Sequence, residues 1–108
     1  MRWLKLSIDL EKEIIRGQDI KMQITCYDWD ELTLIDPTSN TVEFYDSAGT
    51  LAATVNDPSV FTKISDGVVR LIWRVPADAI VGWWTAYWTA VKTSYQSIKS
   101  AEFEVIAK

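Results

Sequence analysis

Few side chains in these 108 residues are equipped for catalysis. Histidine is absent, which removes the commonest general base and metal ligand together. Cys26 is the single thiol, so no intrachain disulfide can form, and a thiolate zinc site would lack its further ligands. What remains is a scatter of carboxylates with serines and tyrosines. Two carboxylates across a cleft can hydrolyse a glycosidic bond, their separation deciding the mechanism. Nothing in the order of residues puts any two in that relation. Asp28 with Asp30, and Glu102 with Glu104, are same-side neighbours on irregular or edge β structure, as on many solvated surfaces. No GxSxG, GxGxxG or phosphate loop is present. The chain reads as a non-enzyme without a cofactor.

A second kind of chemistry is cation binding. Asp28, Asp30, Glu31 and Asp36 sit close together, and calcium takes six to eight oxygens from carboxylates and loop carbonyls. Leu32 occupies the next alternate place after Asp30, however, and no EF-hand glycine follows. These carboxylates are expected to cap turns in a solvated loop, with calcium as the alternative.

The third kind is contact through aromatic rings. The stretch 82–91 reads Gly-Trp-Trp-Thr-Ala-Tyr-Trp-Thr-Ala-Val, uncharged and holding three of the six tryptophans. At period two, one face carries Trp84, Ala86, Trp88 and Ala90, the other Trp83, Thr85, Tyr87, Thr89 and Val91. Large alternating with small suits a central strand packed against a facing sheet. The second face is semi-polar and rich in rings. Rigid amphipathic rings beside hydroxyls suit a protein partner's hot spot, and also a platform for sugar rings. If Tyr45 joins this surface from a neighbouring strand, Tyr45, Trp83, Thr85 and Tyr87 form a partner-binding set. The opposing expectation is that Trp3 and Ile14–Ile15 fold over Trp83 or Tyr87.

The elements that must position these residues read as strands. In 3–10, Leu4, Leu6, Ile8 and Leu10 share a side, and in 19–27 Ile20, Met22, Ile24 and Cys26 point inward. Cys26 is then a core residue rather than a nucleophile. The stretch 11–18 is expected to be a loop or edge segment. Val42 and Phe44 face in from 41–45, with Glu43 and Tyr45 outward. Leu51, Ala53 and Val55 share a face of 50–55, and 59–64 carries Val60, Thr62 and Ile64 opposite Phe61. In 68–75 the inner residues are Val69, Leu71, Trp73 and Val75. The crossing 76–82 moves the chain between sheets, Asp78 capping a helical turn. Residues 92–96 form a hairpin loop, and a strand begun at Ile98 closes the chain with Ala101, Phe103 and Val105 inward.

Seven or eight short strands without a helix of real length predict an all-β antiparallel sandwich, with a small closed barrel as the alternative. One domain, 1–108, can hide roughly 65% of its unfolded surface. Eleven basic against fifteen acidic residues, without a basic cluster, exclude a nucleic-acid backbone as partner. The sequence as given has no signal-peptide pattern and no apolar run long enough to span a membrane, so no membrane insertion is expected and the compartment is left open.

The order of signals resembles the immunoglobulin-like modules of bacterial surface proteins and of phage structural and baseplate proteins. The matching pieces are Arg16-Gly17-Gln18-Asp19 before an alternating strand, Tyr45-Asp46-Ser47-Ala48-Gly49 as strand and turn, Gly82-Trp-Trp-Thr-Ala-Tyr-Trp as penultimate strand, and Glu102-Phe-Glu-Val105 as closing strand. Together they span roughly 15–106. The resemblance implies an immunoglobulin-like β-sandwich used for spacing, display or assembly, such as a virion component. It would act through a protein partner or self-association.

Overall fold

A computed structural model describes residues 4–28 and 33–108. The strands are β1 (Leu4–Leu10), β2 (Glu13–Ile15), β3 (Asp19–Asp28), β4 (Ser39–Tyr45), β5 (Leu51–Val55), β6 (Phe61–Ser65), β7 (Val68–Arg74), β8 (Gly82–Lys92) and β9 (Tyr95–Ile106). They form two open sheets, a four-stranded one in the order β1-β3-β7-β6 and a five-stranded one in the order β2-β9-β8-β4-β5. Both sheets have free edges, so the architecture is a β-sandwich and not a closed barrel.

The inner faces are those the alternation predicts. Ile20, Met22, Ile24 and Cys26 of β3 meet Val42 and Phe44 of β4, Trp84, Ala86, Trp88 and Ala90 of β8, and Phe103 and Val105 of β9, all buried. Phe44 stacks on Trp73 at 4.0 Å between ring centroids and meets Phe103 edge-on at 6.2 Å. These rings tie β7 of one sheet to β4 and β9 of the other. Each buried indole also finds an acceptor. Trp84 Nε1 donates to the Ile80 carbonyl at 2.8 Å, and Trp88 Nε1 to Asn40 Oδ1 at 2.9 Å. An indole N–H can only donate, so burying it without such an acceptor would carry a desolvation cost.

Of the two expectations for 11–18, a loop or an edge segment, Glu13–Ile15 takes the second, as an edge strand that pairs parallel with β9 and puts Ile14 into the core. Other details differ from expectation. The sandwich has nine strands among the described residues, one pairing is not antiparallel, and β8 and β9 run to 11 and 12 residues. A bulge lets Phe44 pair with Ala53 and Tyr45 with Leu51, skipping Ala52. One extra residue turns Leu51 from the inner face to the outer one. The crossing 76–82 joins the two sheets as expected but carries no helix. The helical turn lies instead at Pro58–Val60, capped by Asp57.

Candidate functional site

The five-stranded sheet brings the predicted contact residues onto one surface. Antiparallel pairing puts Tyr45 of β4 opposite Thr85 of β8, Glu43 opposite Tyr87 and Thr41 opposite Thr89. On the other side of β8, Trp83 faces Glu104 of β9, Thr85 faces Glu102, and Thr89 faces Ile98. Directly opposed residues share a sheet face with Cβ atoms about 4.5–5.5 Å apart. Tyr45 and Tyr87, diagonal neighbours in this lattice, meet edge-on at 5.5 Å between ring centroids. Trp83 stands on the same face, four residues from Tyr87, about 13 Å at the usual rise of a strand.

The two sides of β8 are unequal. Trp84 and Trp88 are 2% and 0% exposed, whereas Trp83 and Tyr87 are 54% and 39% exposed. Ile14 lies between the sheets and does not cover the rings; Ile15 has the opposite parity, paired with Ile106 at the edge of the sheet with β9 between it and β8, and Trp3 lies outside the described residues. Tyr45, Tyr87, Thr85, Thr89, Glu43, Asp46 and Ile98 border an open depression of about 400 Å³. Ser47 in the turn after β4 donates its hydroxyl hydrogen to the Val81 carbonyl at 2.9 Å, fixing that turn against the start of β8.

Two exposed residues of this face escape the sequence reading. Ile98, 56% exposed, has the same parity on β9 as Glu102 and Glu104, so counting back along the strand would have found it. Leu51, 47% exposed, carries no such signal, because the bulge that turns it outward leaves no mark in the pattern. Glu102 and Glu104 are outward neighbours as read, but β9 lies between β8 and β2 and is not an edge strand.

The remaining candidates have structural uses. Asp36 accepts from the Gly67 backbone N–H at 2.7 Å and from Lys63 Nζ at 2.9 Å, both bonds holding its carboxyl below the ordinary carboxylate range. The loop is thereby pinned to the β6–β7 turn. Gly67 sits there at φ +74°, where a Cβ would stand 2.7 Å from the Cys26 carbonyl oxygen. Asp30 and Glu31 of the expected calcium loop lie outside the described residues. Burial, and then the Asp36 charge, push the Cys26 thiol up to about 11, so it stays protonated at neutral pH. Among the described residues no group of three His, Cys, Asp or Glu side chains is gathered for a metal, and no helix is long and apolar enough to cross a membrane.

No family model matches the chain, and no curated protein matches it. Solved structures do. The chain is similar over its whole length to 21% of an endo-β-1,4-mannanase from Thermotoga petrophila, with a TM-score of 0.69 and 10% identity. Over 94% of its length it is similar to a superoxide reductase (neelaredoxin) from Ignicoccus hospitalis, covering 80% of that chain with a TM-score of 0.55 and 9% identity. The chain thus spans about a fifth of the mannanase. At these identities the likeness is one of fold alone.

Proposed function

We propose that this chain is a non-enzymatic structural or protein-interaction module that docks a protein partner through Tyr45, Trp83, Thr85 and Tyr87. The observation that carries the proposal is the asymmetry of β8: two of its tryptophans are sealed inside, while the third stands more than half exposed on a face shared with Tyr45, Tyr87, Leu51 and Ile98. Exposed apolar surface rimmed by polar groups marks contact sites on soluble domains, and aromatic residues anchor such contacts.

The proposal takes the sandwich to be immunoglobulin-like. Its sheet orders support this: β1-β3-β7-β6 follows the ABED order of such domains, and β9-β8-β4-β5 follows the GFCC′ order. The setting that goes with it is spacing or assembly, as in a phage virion or baseplate. The test is recovery of complexes from the native cell extract with wild type and with a Trp83→Ala/Tyr87→Ala chain of matched melting midpoint. A complex kept by the first and lost by the second supports docking here; one that both retain overturns it.

A carbohydrate-binding module is the second reading. It is favoured by the depression where Tyr45 and Tyr87 meet the hydroxyls of Thr85 and Thr89 and the carboxylates of Glu43 and Asp46. Rings beside such groups can stack and hydrogen-bond a sugar. A glycan array binding the wild type but not Trp83→Ala would favour it over a protein partner.

A further inference from the structure

The occupant of this face is decided by charge. Following the pairing across the five-stranded sheet, the outward residues include Glu13 of β2, Glu43 of β4, and Glu102 and Glu104 of β9. No lysine or arginine has outward parity on any of its strands; Lys92 and Lys99 fall on the inward parity. None of the four glutamates joins an ion pair among the described residues, where the pairs are Lys63 with Asp36 and Asp66, and Arg74 with Asp19. Removing these four from the chain's fifteen acidic residues leaves eleven, against eleven basic ones. The four glutamates thus match the chain's formal charge of −4, and Asp46, in the turn after β4 beside the depression, adds a fifth carboxylate to this face.

Two of the glutamates stand directly across from the two exposed rings: Glu104 opposite Trp83, and Glu43 opposite Tyr87. A ring face attracts a cation through its quadrupole, and a carboxylate at its side supplies the counter-charge. We propose, on the reading that this face is a docking surface, that its partner is a basic protein segment. One Lys or Arg lies over Trp83 against Glu104, and another over Tyr87 against Glu43, about 13 Å apart along the sheet. A second copy of the chain brings the same four carboxylates to meet these four, so self-association through the face is opposed by like charge.

The test uses the full chain and the probe peptide acetyl-Arg-Gly-Ser-Gly-Arg-amide, whose arginines span about 13 Å when extended. Its control replaces both arginines by citrulline, of near-equal shape and no charge. Binding is followed by NMR through the Trp83 indole N–H and the Tyr87 amide. The expected result is that the arginine peptide shifts both signals and the citrulline peptide does not. Affinity should fall at least about threefold from 0.01 M to 0.15 M salt, as the Debye length shortens from about 30 to about 8 Å. Glu43→Gln/Glu104→Gln should weaken binding about tenfold, the equivalent of roughly 1.4 kcal/mol, with an unchanged melting midpoint.

Equal binding of both peptides overturns the cationic partner while leaving a docking face in place. Absence of binding by either peptide overturns the cationic partner. Self-association through Trp83 and Tyr87 that persists at low salt overturns it in favour of a second copy.

Discussion

Trp88 shows how one side chain fixes another. Its ring is fully buried against Phe61, yet its indole nitrogen needs an acceptor, and Asn40 Oδ1 supplies one at 2.9 Å. Asn40→Ala leaves the indole N–H without that partner and should cost about 1–3 kcal/mol, read by denaturant unfolding. Asp36 gives a second prediction at this scale. Hydrogen bonds from Gly67 and then Lys63 lower its folded pKa below the unfolded value. Its contribution to stability is therefore full above the unfolded pKa, near 4, and is lost as pH falls through the lower folded value. The melting midpoint of the wild type should fall more steeply between about pH 5 and about pH 3 than that of Asp36→Asn. Equal slopes for the two chains would mean that Asp36 adds nothing to the acid response.

Strands are where alternation spoke clearly and where it fell silent. In β3 and β8 every inward residue was legible, because a half-buried strand must alternate and a one-residue slip would expose the whole apolar set. The outer face of β8 was legible for the same reason: Trp83, Thr85 and Tyr87 follow from the burial of Trp84 and Trp88. β2 was not, since three residues carry no period and its pairing with β9 reaches across almost the whole chain. The start of β9 was hidden by its turn. Lys92 pairs with Tyr95, leaving only Thr93 and Ser94 between the strands, without the Asn-Gly or Gly that signals a two-residue hairpin. Thr93 takes φ 57° there, a conformation that suits a β-branched residue poorly. Thr93→Gly or Thr93→Asn should raise stability by roughly 1 kcal/mol without changing the strand register, as thermal melting and the amide spectrum would show.

At the scale of the molecule, the sandwich, 44 Å long and 24 × 22 Å across, is divided by its strands into surfaces of different character. Its interior is aromatic and closed. The outside of the five-stranded sheet joins exposed rings to carboxylates, and no lysine or arginine has outward parity on its strands. Sequence alone did not reveal that concentration of charge, because Glu13, Glu43, Glu102 and Glu104 come from three separate strands and meet only through register.

The division of β8 into a sealed and an open side underlies the proposed contact surface, the proposed partner and the role of each tryptophan. Its most direct test is thermal unfolding of Trp83→Ala beside Trp84→Ala. Trp84→Ala should lose about 3–5 kcal/mol, much of the stability of a domain this size, while Trp83→Ala stays within about 1 kcal/mol of the wild type. A Trp83→Ala chain that unfolds while Trp84→Ala melts like the wild type would contradict the account.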